Sequence, residues 1–309
     1  MDLNNIFINS DMPERLIVQA ESAGFSHNIC AWIKGIYSII MNHNIKTVIA
    51  VTGGDCSNTV ALAELLAHKG VRVITFDYPH NREKDLLMAQ MEKFGRSLSV
   101  NPSNIRTVKV KLDRIREKLR KLDRLTFQNN VVTGLENHHF LVSSSDFKSD
   151  PALYERELDE FLHKARKREP KKNEIRLGYL GVPPIFGQFY EYIESHGARV
   201  VFNEIQRQFS MPYENGDIIE QYLNYTYPYD VNRRIEDIRS AIKERDLDGL
   251  IHYTQTFCFR QIYDMIMRET LPLPILTLEG DRPGNIDSRT AIRIETFIEM
   301  LKDKQTNSI

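Results

Sequence analysis

The chain holds three cysteines, Cys30, Cys56 and Cys258, and their number and spacing bound the chemistry open to it. An odd count leaves one unmatched in any disulfide scheme, and in a reducing compartment such residues serve as thiols or as ligands. The gaps of 26 and 202 residues contain no CxxC pair of the kind that structural zinc centres usually draw on. Residues 31–41, 57–69 and 259–269 each read as a helix that begins directly after a cysteine, so all three thiols are expected at helix N-termini. There the unpaired N–H groups and the positive end of the helix dipole favour negative charge, by about 0.3 to 1 kcal/mol when exposed. Thiolates are what iron requires. Small buried hydrophobes, and a zinc site completed by a histidine, are the other readings open at this point.

A second set of groups has the capacity to move protons or tune a centre. Glu136, His138 and His139 follow Gly134 and precede three serines. A carboxylate beside an imidazole can donate or remove protons near neutral pH; the plain alternative is a helix start with an exposed histidine pair. Gly54 and Asp55 precede Cys56, where glycine lets backbone N–H groups come close to a ligand. His252 lies shortly before Cys258 on a predicted strand end. Groups behind a ligand set its potential through hydrogen bonds to sulfur; a strand histidine satisfied by backbone explains His252 equally well. The chain lacks GxxxxGK(S/T) and GxGxxG, so neither ATP nor a dinucleotide is expected on it.

The scaffold for these residues is legible in outline. A length of 309 residues exceeds what one core usually sustains, roughly 250 residues. Two domains are expected, 1–168 carrying Cys30 and Cys56 and 169–309 carrying Cys258, with the basic stretch 164–172 around Pro170 as linker. Strand, helix, strand follow one another at 47–51, 57–69 and 71–76, again at 175–179, 189–195 and 198–202, and once more at 248–253, 259–269 and 275–278. That rhythm is the βαβ repeat of a parallel sheet, and both halves read as α/β, doubly wound parallel sheets of the Rossmann or flavodoxin kind. Residues 286–301 close the chain as a helix with Asp287 near its cap. Residues 48–56 also lie over 250–258 without a gap, so Thr52 matches Thr254 and Cys56 matches Cys258. Each of these cysteines is thereby placed outside the carboxyl end of a strand, where ligands collect in open α/β sheets.

Charge and hydropathy exclude several classes. The net charge of −1 gives no pull toward nucleic acid. Nine Lys/Arg against three acidic residues between Arg106 and Arg124, with Val108, Leu112, Ile115, Leu119 and Leu122 at helical spacing, predict an amphipathic helix with a cationic outer face. Such a face is either simply solvated or a surface for an anionic partner or a phosphorylated ligand. The most apolar stretch, 29–41, is shorter than the ~20 residues a membrane span needs and contains Lys34. Without a basic leader and cleavage site, a cytoplasmic protein is expected.

Several motifs, taken together and in order, resemble a known family. They are Met12-Pro-Glu-Arg-Leu-Ile17, Cys30-Ala-Trp-Ile-Lys-Gly35, Gly54-Asp-Cys56, Gly134-Leu-Glu-Asn-His138, Phe257-Cys258 and Ser288-Arg-Thr-Ala-Ile-Arg-Ile-Glu-Thr-Phe-Ile-Glu-Met-Leu301. From about Met12 to Leu301 the chain is similar to the 2-hydroxyacyl-CoA dehydratase family, which includes benzoyl-CoA reductase subunits and double-cubane cluster proteins. The resemblance implies two α/β domains with a [4Fe-4S] cluster at their interface, bound by Cys30, Cys56 and Cys258. It implies an ATP-hydrolysing activator that injects a low-potential electron, and a second subunit that is a copy or a related chain. In the dehydratases the acyl-CoA substrate takes the electron as a ketyl radical anion, which lets an unactivated β-proton leave after the 2-hydroxyl departs. The chain is shorter than the usual dehydratase subunit, which bears on the CoA pocket, and double-cubane proteins generally carry more cysteines, so one cluster per chain is the better count. A non-catalytic electron carrier of the same family is the other functional reading.

Overall fold

Short β-branched runs flanked by glycine, each followed by a stretch of helical periodicity, give the chain its parallel strands. A computed structural model describes residues 1–172, 175–214 and 216–307. In chain order its helices are α1 (Leu3–Ile8), α2 (Pro13–Ser22), α3 (Ala31–Asn42), α4 (Ser57–His68), α5 (Lys84–Ser97), α6 (Pro102–Phe127), α7 (Gly134–Ser143), α8 (Pro151–Ala165), α9 (Phe189–Ser195), α10 (Glu204–Phe209), α11 (Ile218–Leu223), α12 (Val231–Glu244), α13 (Tyr263–Thr270) and α14 (Ser288–Asn307). Its strands are β1 (Thr47–Gly53), β2 (Arg72–Asp77), β3 (Ile175–Gly181), β4 (Ala198–Asn203), β5 (Gly249–Gln255) and β6 (Ile275–Gly280). The chain divides into two compact units, one of Asp2–Arg114 with Tyr213–Arg234, the other essentially of Ile115–Pro212 with Ile235–Ile309. Residues 115–168, read from the sequence with the N-terminal half, are thus grouped with the C-terminal strands, and the basic stretch 164–172 lies inside that unit.

In the unit that begins at Asp2, β1 and β2 pair in parallel. Among the described residues this is a two-stranded sheet, short of the open doubly wound sheet expected there. Its core joins Ala20 of α2, Ile33, Tyr37 and Ile40 of α3, Val48 of β1, and Leu62 and Leu66 of α4. Helix α3 is buried on nearly every side, and Gly35 is what lets α1 reach it, because a Cβ there would fall 2.3 Å from the Phe7 ring. The segment Tyr213–Arg234 returns from far along the chain to this unit. Tyr229 meets Tyr78 edge to face at 5.6 Å, Lys84 pairs with Glu220 at 2.6 Å, and Pro228 backs Gly54.

The other unit carries four parallel strands in the order β4-β3-β5-β6. The order reverses direction between β3 and β5, which makes the carboxyl ends of those two strands the topological switch point. One face of the sheet, through Ile175, Leu177, Tyr179, Ile251, Tyr253 and Leu278, packs against Phe189 and Ile193 of α9 and Ile294, Ile298 and Leu301 of α14. The expected Asp287 cap is present: its carboxylate accepts the N–H groups of Arg289 and Thr290 at 2.9 and 3.0 Å. Of the apolar stripe predicted for the basic helix, Ile115, Leu119 and Leu122 are buried, whereas Val108 is half exposed in the largely exposed first turns of α6. Part of its cationic face is spent locally, Lys118 on Glu155 and Asp159 and Lys121 on Glu117.

Candidate functional site

Each cysteine occupies the residue immediately before a helix. Cys30 is the N-cap of α3 and Cys56 the N-cap of α4; Cys258 caps a 3-10 turn, Phe259–Ile262, that runs straight into α13. None is in a disulfide, all three are half-buried, and none spends its side chain on a capping bond. Cys30 and Cys56 belong to the unit that begins at Asp2, and Cys258 to the other.

Cys30, partly buried, packs against the apolar cluster that includes Ile33, Tyr37 and Leu62. Its turn is closed by Ile29 N–H donating to the Ser26 carbonyl at 3.1 Å, and its own carbonyl accepts Lys34 N–H at 3.3 Å. Cys56 follows a bulge at the end of β1, where the pairing with β2 shifts between Val51 and Gly53. The Thr52 hydroxyl donates to Asp77 at 2.7 Å, and Gly53 comes so near that a Cβ would sit 2.9 Å from that of Asp77. Gly54 turns the chain at φ +92°, a conformation that costs glycine little. Asp55 then accepts the Thr59 hydroxyl at 2.9 Å, and that oxygen lies 3.6 Å from Cys56 Sγ. Thr59, one turn into α4 from the thiol, joins Asp55 and Cys56 in one small polar group.

Cys258 lies beyond the carboxyl end of β5, at the switch point. Its N–H donates to the Gln255 carbonyl at 3.0 Å, and the residue before it, Phe257, stands at φ +60° with 64% of its surface exposed. Left-handed backbone at a bulky residue is strained, and such strain gathers at working sites. Phe259, Ile262 and Met265, which follow Cys258 in the chain, are exposed as well. His252 is fully buried in the middle of β5, and its Nδ1 meets Asp264 Oδ1 of α13 at 3.0 Å. Asp264 also accepts from Thr277 at 2.7 Å and Arg268 at 2.6 Å. Sequence reasoning missed Asp264, because nothing local marks a carboxylate that will fold back onto a strand twelve residues earlier.

Glu136 is a helix-capping residue. It accepts Thr133 N–H at 2.9 Å while Thr133 Oγ1 accepts Glu136 N–H at 3.1 Å, and both its oxygens bind Arg168 at 2.8 Å. Burial alone would raise its carboxyl; the bonds from Arg168 and Thr133 prevail and hold it low. His138 is buried with Nδ1 unpartnered, its ring 5.1 Å from that of Tyr190, and burial followed by the neighbouring His139 pushes it down to about 3. It is a neutral imidazole at neutral pH. The residue before it, Asn137, enters a buried chain of bonds: Asn203 Nδ2 donates to Asn137 Oδ1 at 2.8 Å, Asn137 Nδ2 donates to Asp123 at 3.1 Å, and Arg245 donates to Asp123 at 2.5 Å. That network ties α6, α7 and β4 together. Within either unit, no group of three or more His, Cys, Asp or Glu side chains forms a metal site among the described residues, and no helix among them is long and apolar enough to cross a membrane.

Comparison with known proteins bears on what these thiols serve. Residues 1–301 match the model of the family described as 2-hydroxyglutaryl-CoA dehydratase, D-component. No curated protein matches the chain.

Proposed function

Because the chain belongs to the 2-hydroxyglutaryl-CoA dehydratase D-component family, we propose that it is the iron–sulfur subunit of a radical 2-hydroxyacyl-CoA dehydratase-like or reductase enzyme, with Cys30, Cys56 and Cys258 as thiolate ligands of one [4Fe-4S] cluster. The observation that carries this reading is the common position of the three sulfurs. Each belongs to an N-cap residue, and none is used in a disulfide or a capping bond. Half-buried thiols at helix starts are a donor set that suits iron, which takes thiolate and profits from nearby backbone N–H groups. When bound, such a cluster supplies one-electron chemistry and an iron able to act as a Lewis acid. An ATP-hydrolysing activator and a second subunit, a copy or a related chain, complete the system.

The chain's own contribution is to hold and surround the ligands. Thr59 and Asp55 order the Cys56 turn, and Asp264 orders His252 on the strand that leads to Cys258. Both oxygens of Glu136 are engaged, by Arg168 and by the Thr133 N–H.

The test is anaerobic purification with iron and sulfide analysis, followed by EPR of the reduced protein. About four irons and four sulfides per chain are expected. Replacing any one cysteine by alanine is expected to remove most of the iron, and a Cys258→Ala chain with a full complement would refute the assignment. Activator-dependent turnover of a 2-hydroxyacyl-CoA then separates an enzyme subunit from an electron carrier.

A further inference from the structure

Lys34 is buried to 3% exposure in the first turns of α3, four residues after Cys30. Lysine is almost never fully buried unless it is paired. Its ammonium donates to Glu21 Oε1 of α2 at 2.8 Å and to the backbone carbonyl of His27 at 3.0 Å. The same carboxylate oxygen lies 3.0 Å from His27 Nδ1. The turn between α2 and α3 is therefore held at His27 through both its carbonyl and its ring, three residues before the thiol.

Other bonds between α2 and α3 do a different job. Ser38 donates to the Leu16 carbonyl at 2.6 Å, and the Gln19 and Asn42 side-chain amides bond each other at 2.6 and 2.9 Å. These hold helix to helix and touch nothing in the turn. Tyr37 of α3 meets Phe25 of the turn ring to ring at 4.8 Å, and Lys34 reaches by hydrogen bonds into the segment nearer Cys30. A compact ammonium with three donors can serve a carboxylate and a carbonyl at once without needing a planar partner.

We propose that Lys34, through Glu21 and His27, is the positioning residue of Cys30, fixing the turn that presents this thiol. The inference rests on the reading of Cys30 as a cluster ligand, but its test does not need the cluster.

In the iron-free full chain, the rate at which iodoacetamide alkylates Cys30 is compared with the rate at Cys56, together with hydrogen exchange of the Ile29 amide. Lys34→Gln is expected to speed both Cys30 alkylation and Ile29 exchange about tenfold, the worth of one or two lost hydrogen bonds, and to leave Cys56 unchanged. Lys34→Arg, which keeps a buried cation, is expected to restore most of the protection. If Lys34→Gln does not fold, the paired variant Lys34→Met with Glu21→Leu removes the ion pair as a unit without stranding a charge, and is read in the same way. A folded variant with unchanged Cys30 and Ile29 rates overturns the proposal, as does equal acceleration at Cys30 and Cys56, which would mean general loosening. Wild-type protein that holds no iron would count against the cluster reading and leave the Lys34 measurement standing.

Discussion

His252 Nδ1 lies 3.0 Å from Asp264 Oδ1, and that bond ties the middle of β5 to α13 on the far side of Cys258. It fixes the imidazole tautomer, since a carboxylate can only accept, so Nδ1 carries the proton. With Thr277 of β6 and Arg268 of α13 on the same carboxylate, strand, helix and neighbouring strand are joined behind the segment that carries the thiol.

This arrangement predicts a pH signature. Burial would raise the Asp264 carboxyl, but the bonds from His252, Thr277 and Arg268 outweigh it and hold the group below its ordinary 3.8. A carboxyl lowered on folding contributes stability that is present above the unfolded value and is lost as pH falls from there toward the folded one. Asp264→Ala is expected to cost about 2 to 4 kcal/mol at pH 7 and less at pH 3. Urea midpoints at the two pH values check it; an equal cost at both would mean that the charge of Asp264 contributes nothing.

A pair of glycines separates backbone strain from collision. Gly54 and Gly70 both have positive φ, +92° and +82°, but a Cβ at Gly54 would lie 2.7 Å from the Pro228 carbonyl oxygen, whereas Gly70 has open space. Gly70→Ala is expected to cost about 1 kcal/mol, the conformational part alone. Gly54→Ala is expected to cost at least ~2 kcal/mol more, because Pro228 must move, and to disturb the Cys56 turn. Chemical denaturation of the two variants side by side reads the difference.

How much of this was legible in the sequence depends on the range of the interaction. The strands at Thr47–Gly53, Ile175–Gly181 and Ile275–Gly280 and the helix Phe189–Ser195 could be read because each is a local run of β-branched or periodic residues closed by glycine or polar residues. The N-cap positions of the cysteines could be read for the same reason, as each thiol stands between a turn and a helical pattern. The Asp123–Arg245 pair could not, because its members are 122 residues apart and neither is unusual in its own surroundings. The return of Tyr213–Arg234 to the unit that begins at Asp2 was hidden too, since its tyrosines find Tyr78 only through tertiary packing. The capping box at the start of α7 carries a local signal, Thr133 followed three residues later by Glu136, that the reading of Glu136 with His138 did not use.

His138 offers a second pH test, of opposite chemistry. The folded protein refuses a proton there until about 3, while the unfolded chain accepts one near the ordinary 6.5. Between those values the unfolded state binds more protons, so stability falls as pH falls, by up to about 1.4 kcal/mol per pH unit. His138→Phe removes this dependence and retains a ring against Tyr190; with Nδ1 unpartnered, no bond from that atom is lost. The variant is expected to match the parent at pH 7 and exceed it at pH 5, as judged by thermal midpoints at both.

Phe257 provides the last test, because strain and function make opposite demands on it. Its φ of +60° costs a side-chain-bearing residue about 1 to 2 kcal/mol, and its ring, 64% exposed, recovers little by burial. Glycine would adopt the same conformation without that cost, less about 0.5 to 1 kcal/mol for the added freedom of the unfolded chain. Phe257→Gly is therefore expected to leave the protein slightly more stable. A strained residue beside a proposed ligand is retained where its conformation serves the site, here by fixing the turn from Gln255 to Cys258. The glycine variant is thus expected to bind less iron on anaerobic reconstitution, and to lose it faster in air, despite its higher thermal midpoint. Equal iron retention in the two proteins would show that the strain at Phe257 has no part in holding Cys258 for the proposed cluster.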